Sequence, residues 1–139
     1  MAKRIEPKLA KGMRDILGPP IRRRQAMLES IRGVFERYGF QPLETPSIEF
    51  AEVLTGAKVG ETGQRIYTWQ HEEEDAQLGL RFDLTVPLAR FVAGHPEIRR
   101  PFKRYQTGSV FRVGTPGAGR FREFTQLDIA YVGTRSMLA

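Results

Sequence analysis

A glycine-rich loop between two alternating runs constrains the fold of this chain more than any other feature. The runs extend from Arg104 to Val113 and from Phe121 to Val132, and the loop between them reads GTPGAGR, with three glycines, one proline and no acid. Alternation of apolar and polar residues over such runs predicts β-strands, and glycine with proline predicts a turn between them. We therefore expect a long antiparallel hairpin in this part of the chain.

The sequence before this hairpin predicts three helices, one of them short, and a second hairpin. Apolar residues recur at helical spacing between Pro19, which suits a first turn, and Gly39, which can supply a left-handed helix end. The remaining predicted elements, in chain order, are an extended segment FQPLETPSIEF, a brief helix Ala51 to Leu54, strands Arg65 to Gln70 and Leu78 to Asp83 joined by a solvated acidic turn HEEEDAQ, and a helix Thr85 to Ala93.

This order of elements lacks the regular strand–helix alternation of a doubly wound parallel sheet. We therefore predict an α+β fold, in which helices flank one face of a largely antiparallel sheet and residues 1–139 form a single domain. The other face is open to a ligand, and alternate strand residues reach it. On one arm these are Val110, Arg112 and Gly114, and on the other Arg120, Arg122, Phe124, Gln126, Asp128 and Ala130.

The charge of the chain favours anionic ligands, and its composition excludes several kinds of site. The net charge is +6, and the chain has no cysteine for disulfides or thiolate sites. His71 and His95 have no ligand-type neighbour at metal-site spacing, so we expect no protein-bound metal. No apolar run is long enough to span a membrane and no secretory signal is evident, so a cytoplasmic protein without membrane contact is expected.

The residues at the loop suit a nucleoside triphosphate. Arginine offers a planar fork to phosphate oxygens, phenylalanine offers a flat surface to a base, and glycine permits close backbone approach. The loop lacks the Gly-Lys-Ser/Thr ending of a Walker A loop, and a strand-to-strand setting excludes a dinucleotide fingerprint. Spacing alone leaves open a hairpin with a flexible loop and solvated surface arginines.

Four segments resemble class II aminoacyl-tRNA synthetases, and among these the histidyl-tRNA synthetases. Phe111-Arg112, the loop, and Arg120-x-x-x-Phe124-x-x-x-Asp128 resemble motif 2. LRFDLTVPLAR resembles the histidine-binding segment of that family, and KGMRD resembles its opening. GFQPLETPSIE, which contains Pro46, resembles motif 1 together with the helix before it. The resemblance implies a partial class II catalytic core.

The resemblance also implies roles for individual residues and partners. Arg112 matches the catalytic motif 2 arginine that holds the ATP α-phosphate and the amino-acid carboxylate. Arg120 matches an arginine on the γ-phosphate, and Phe124 matches the aromatic residue that stacks on adenine. The implied amino-acid pocket contains Asp83, which binds the α-ammonium group, together with Thr85 and Gln126. The implied partners are ATP with Mg²⁺, histidine, tRNA, and a second copy of the chain bound through the motif 1 region.

Two positions depart from the family pattern. Gly114 stands where motif 2 usually has glutamate, and Ala130 stands where the family has an acid that helps to recognise the histidine side chain. Nothing in the chain resembles motif 3 or an anticodon-binding domain, so a truncated catalytic-domain fragment is expected. Two alternatives remain. One is a regulatory or binding module such as the synthetase-related regulatory subunit of ATP phosphoribosyltransferase, and the other is a dimerisation and folding unit with residual nucleotide affinity.

Overall fold

The computed structural model describes residues 5–56 and 66–135, and these form an α+β fold as predicted. The beginning of the predicted strand at Arg65 lies outside the described residues. The elements in chain order are α1 (Pro19–Arg37), β1 (Gln41–Pro42), β2 (Ile48–Phe50), α2 (Ala51–Thr55), β3 (Thr68–His71), β4 (Ala76–Leu80), α3 (Thr85–Gly94), β5 (Phe102–Phe111) and β6 (Glu123–Val132). No helix in these two stretches is long and apolar enough to cross a membrane.

The strands form two small sheets rather than the one sheet that we expected. One has the strand order β1-β5-β6 and the other has the order β2-β4-β3. All pairs are antiparallel except β1 with β5, which run parallel. Parallel pairing needs a long crossover, and the chain between β1 and β5 supplies one because it contains the whole second sheet.

The predicted C-terminal hairpin is present, but both strands end two residues farther from the loop than predicted, and β5 begins two residues earlier, at Phe102. The strands pair from Phe102 with Val132 to Phe111 with Glu123. Beyond that point the Arg112 amide still donates to the Arg122 carbonyl oxygen at 2.9 Å, but the Arg122 amide donates to the Gly12 carbonyl oxygen at 2.8 Å instead of returning a bond to β5. Arg112, Arg120 and Arg122 lie past the strand ends, so strand alternation alone does not determine which side of the hairpin they occupy.

Helix α1 covers one face of the hairpin and leaves an apolar stripe exposed. Its Phe35 ring lies 5.8 Å from the Tyr105 ring on β5, and Gly39 ends the helical segment with φ 78° as predicted. No residue of α1 is fully buried. Met27, Val34 and Tyr38, the residue that directly follows α1, are 55%, 39% and 70% exposed, so the Tyr38 side chain lies outside the core.

The opposite face of β5 carries a buried polar layer. Arg104 is fully buried and its Nη2 donates to Asp128 Oδ2 at 2.6 Å. Gln106 Nε2 donates to Thr45 Oγ1 at 2.8 Å. Arg81 lies over Gly108, and a Cβ at that glycine would collide with its Nη2 atom. Glycine is thus required at position 108 for the close approach of the guanidinium.

Tyr105 predicts a loss of stability at alkaline pH. Its hydroxyl donates to Glu36 Oε1 at 2.6 Å, and this hydrogen bond, with burial, raises the pKa of Tyr105 above its ordinary value of 10.0. A raised folded-state pKa contributes stability that is complete below the unfolded pKa and lost as pH rises through the folded one. We expect Tyr105→Phe to cost about 1 kcal/mol of unfolding free energy at pH 7. That difference should shrink above pH 10 in urea titrations, whereas a constant difference would contradict the assignment.

Candidate functional site

A cationic pocket lies where the C-terminal hairpin opens into its loop. Its volume is about 740 Å³, and it is lined by Arg14, Arg112, Val113, Gly114, Thr115, Pro116, Gly119, Arg120, Phe121, Arg122 and Phe124. Four of these side chains are arginines and none is acidic. Such a lining favours an anionic ligand, and the aromatic rings add a flat apolar surface.

Arg112 is held at two points. Its Nε donates to the Phe82 carbonyl oxygen at 3.1 Å, and its guanidinium carbon lies 5.0 Å from the centre of the Phe124 ring. Its amide also donates to the Arg122 carbonyl oxygen at 2.9 Å, which fixes the backbone at the strand end. In the described part of the chain, no hydrogen-bond acceptor occupies the two Nη atoms. Arg112 therefore presents an oriented, unneutralised charge to the pocket.

Arg120 lies at the tip of the loop. Gly117 and Arg120 exchange backbone hydrogen bonds of 3.1 and 3.0 Å, and Gly119 between them has φ 71°. That conformation favours glycine, so the loop glycines serve a tight turn. Arg120 is exposed and lines the pocket together with Arg112 and Phe124. The structure thus brings together the three residues for which the resemblance implies ATP contacts.

Asp83 has a structural partner that the sequence did not reveal. Its Oδ1 accepts hydrogen bonds from the amides of Thr85 and Val86, at 3.2 and 3.0 Å, at the start of α3. A carboxylate is favoured at a helix N-terminus, where unpaired amides and the helix dipole attract negative charge. The other oxygen, Oδ2, has no hydrogen-bond partner in residues 5–56 and 66–135. It remains available to a cationic group.

Gln126 offers an unused hydrogen-bond acceptor. It lies on β6 opposite Gly108, on the same face as Phe124. Its Oε1 is buried without a hydrogen-bond partner among the residues that the structure describes. Buried polar atoms are nearly always paired, so an orphaned acceptor indicates a missing donor such as a ligand or water. Asp83, Thr85 and Gln126 do not line the cationic pocket, but the bond from Arg112 to Phe82 joins the two regions.

The structure adds Arg14 to the site. Its guanidinium carbon lies 3.7 Å from the centre of the Phe121 ring, and its side chain lines the cationic pocket. The KGMRD segment was recognised only as a family signature, and nothing in its spacing connects it with a loop more than a hundred residues away. Among the described residues, no group of three or more histidine, cysteine, aspartate or glutamate side chains is arranged to hold a metal ion.

The chain is similar to histidyl-tRNA synthetases in both sequence and structure. Residues 12–139 match the profile of the family described as histidyl-tRNA synthetase. Histidine–tRNA ligases of Rhodopirellula baltica and Treponema denticola are 43% and 44% identical to it over 97% and 98% of this chain. The chain spans 30% of the length of each of these relatives.

Two solved structures show the same relationship at the level of the fold. The crystal structure of histidyl-tRNA synthetase from Nostoc sp. PCC 7120 superposes with a TM-score of 0.79 at 38% identity, over 94% of this chain and 29% of that one. A Bacillus halodurans protein described as an ATP phosphoribosyltransferase regulatory subunit/histidyl-tRNA synthetase gives a TM-score of 0.79 at 24% identity, over 96% of this chain and 34% of that one. The second likeness concerns the fold alone.

Proposed function

The chain belongs to the histidyl-tRNA synthetase family, and from this we propose that it carries part of the active site of a histidine–tRNA ligase. In that reaction ATP and histidine form histidyl-adenylate, and the histidyl group then passes to tRNA. The proposal depends above all on the pocket with four arginines and no acid beside the Phe124 ring. The described residues form one part of the catalytic domain, and the tRNA contacts of the whole protein are also part of the proposal.

Within this pocket, we assign the parts of ATP to individual side chains by the roles that the family resemblance implies. Arg112 binds the α-phosphate through its free Nη atoms, Arg120 at the loop tip binds the γ-phosphate, and adenine stacks on Phe124. Mg²⁺ enters as part of the MgATP substrate. Arg112 lies at the base of the loop and Arg120 at its tip, and both side chains line the pocket, so each can meet a different phosphate group.

The amino acid lies on the α3 side of Arg112. Asp83 Oδ2 binds the α-ammonium group, and Thr85 and the orphaned Gln126 Oε1 complete the polar lining. At position 130 the family has an acid that helps to recognise the histidine side chain, and this chain has alanine. Recognition of the histidine side chain therefore depends on residues that neighbour Ala130. In this arrangement the cationic side chains meet the phosphates of ATP and the anionic side chain meets the ammonium group of the amino acid. Each ligand group is thus bound by a side chain of opposite charge.

The chemical step depends on electrostatic stabilisation of its transition state. A carboxylate oxygen of histidine attacks the α-phosphorus, the bond to the bridging oxygen breaks, and pyrophosphate leaves with the electron pair. The nucleophile is already ionised at neutral pH, so no general base is required. A fixed cation at the α-phosphate lowers the barrier because negative charge develops there in the transition state. Arg112 is suited to this role because its Nε bond to Phe82 orients it before ATP arrives.

The charging of tRNA distinguishes a ligase from a regulatory module. Gly114 and Ala130 favour the second candidate, a synthetase-like regulatory subunit that binds histidine without activating it. The whole protein should attach labelled histidine to a histidine tRNA transcript in an ATP-dependent manner. Histidine binding by titration, without ATP-dependent charging, would support the regulatory candidate instead.

We also propose that the chain self-associates through α1. Met27, Val34 and Tyr38 expose an apolar stripe along this helix, in the segment that resembles motif 1. Exposed stripes of this kind typically mark contacts with another chain. We expect a dimer in sedimentation at high micromolar concentration and a shift to monomer in the Val34→Glu/Tyr38→Glu variant. Leu17→Glu is the matched control, because Leu17 is 91% exposed outside the helix. A strictly monomeric wild-type protein would refute the proposal.

A further inference from the structure

The segment Lys11–Arg14 lies against the glycine-rich loop, although the two are far apart in sequence. The Arg122 amide donates to the Gly12 carbonyl oxygen at 2.8 Å. The Arg122 side chain bridges both sides, since its Nε donates to Gly114 O at 3.0 Å and its Nη1 donates to Lys11 O at 3.2 Å. Arg122 therefore ties the two arms of the loop to each other and to this segment.

Gly12 fits this contact because it has no side chain. Its φ is +85°, a conformation that residues with a Cβ rarely adopt. A Cβ at this position would lie 2.8 Å from Arg122 Cγ and 2.9 Å from Pro116 Cγ. The backbone of the segment is therefore packed directly onto the stem of Arg122 and onto the first arm of the loop.

Arg14 makes the last contact of the segment. Its guanidinium carbon lies 3.7 Å from the centre of the Phe121 ring, on the second arm of the loop. The side chain is exposed on its other side and lines both the cationic pocket and a smaller neighbouring pocket of about 230 Å³. Stacking of a guanidinium on an aromatic ring stabilises both groups through the ring quadrupole.

We propose that Lys11–Arg14 is a clasp that holds the ATP-binding loop in its productive geometry, with Gly12, Arg14 and Arg122 as positioning residues. This inference rests on the proposed function, because it explains how the loop that carries Arg112 and Arg120 around one pocket is held in place. A loop with three glycines has many accessible conformations. The clasp fixes both arms before the nucleotide arrives and so removes that entropic cost from binding.

The clasp predicts a change in ATP affinity without a change in histidine affinity. Arg14→Ala should raise KM for ATP about two- to fivefold, the range that corresponds to the loss of one exposed cation–π contact, and leave KM for histidine unchanged. Arg14→Lys, which keeps a cation above the ring, should be closer to wild type. Gly12→Ala should have the larger effect because its Cβ displaces Arg122 and Pro116.

Two measurements on the whole protein test the clasp. Hydrogen exchange followed by mass spectrometry reports the loop directly, and residues 113–122 should exchange faster in Arg14→Ala and Gly12→Ala than in the wild type or in Arg99→Ala, a control at an exposed site outside the pocket. A double-mutant cycle on KM for ATP, with Phe121→Leu as the second change, should be non-additive, because Arg14 acts through that ring.

Exchange of the loop at the wild-type rate in both variants would overturn the clasp, as would additivity of Arg14→Ala and Phe121→Leu. The exchange measurement requires no ligand and no catalysis. A protein without histidine-dependent activation would therefore refute the proposed function, and faster loop exchange in the two variants would still support the clasp as a structural element.

Discussion

Replacing Arg112 with alanine is expected to lower kcat/KM for histidine-dependent exchange of pyrophosphate into ATP by about 10²- to 10³-fold, the usual cost of removing one preorganised group from a developing charge. The side chain is oriented by Phe82 O and Phe124 before the substrate binds, and its Nη atoms face the pocket. Its loss removes both the cation at the α-phosphate and the group that aligns the attacking carboxylate. Most of the effect should fall on kcat, since the charge develops in the transition state.

Two further variants control for this result. Arg112→Lys keeps the charge but loses the planar fork and the Nε bond, so we expect an intermediate loss. Arg99→Ala removes the same charge from an exposed site between α3 and β5 and should behave as wild type. Equal, small losses in Arg112→Ala and Arg99→Ala would show that Arg112 contributes no more than a surface charge outside the pocket, and the motif 2 assignment would be wrong.

Replacing Arg81 with methionine should have the largest effect on stability. Arg81 is 4% exposed, and its guanidinium donates to Ser109 O at 2.9 Å and to Thr45 O at 2.7 Å. These bonds join β5 of one sheet to the segment before β2 of the other. Burial lowers the pKa of Arg81, and the negative charge of Glu49 opposes that change.

Methionine leaves those buried carbonyl oxygens without donors. We expect a loss of about 3 kcal/mol or more in the free energy of unfolding, since each unsatisfied buried group costs about 1–3 kcal/mol. Urea unfolding measures the change, with Arg99→Met as the exposed control, for which surface substitutions suggest a change within about 0.5 kcal/mol. A comparably small change in Arg81→Met would mean that the contact between the sheets is sustained by apolar packing instead.

Local signals predicted the elements of the fold well. Pro19 and Gly39 marked α1, and the structure has the helix from Pro19 to Arg37 with Gly39 in the left-handed conformation. The acidic turn predicted between the strands of the first hairpin is also present, with β3 ending at His71 and β4 beginning at Ala76. These features depend on residues within a few positions of each other, so short-range preferences suffice to predict them.

Long-range contacts were not predictable in the same way. The strands of the C-terminal hairpin end early because Gly12 accepts the hydrogen bond from Arg122, and no periodicity reveals a partner so distant in sequence. The parallel pairing of β1 with β5 depends on the crossover through the second sheet. Asp83 reads as a ligand-binding acid in the resemblance, whereas the structure also uses it at the start of α3.

The candidate site was therefore only partly predictable from the sequence. Arg112, Arg120 and Phe124 were identified by resemblance, and the structure places them around one pocket, although their assignment to ATP stays a prediction. Strand alternation alone does not explain their proximity, because Arg112 and Arg120 lie past the paired strands. Their arrangement results from the turn at Gly117 to Arg120 and from the hydrogen bonds of Arg122.

Amino-acid-dependent exchange of pyrophosphate into ATP tests the central claim most directly. The measurement is made with each of the twenty amino acids separately, on the chain and on the whole protein, with Arg112→Ala as the inactive comparison. We expect exchange with histidine alone, and its loss in the variant. Exchange with another amino acid would contradict the assigned specificity, and histidine binding without any exchange in the whole protein would contradict the proposal that this pocket activates an amino acid.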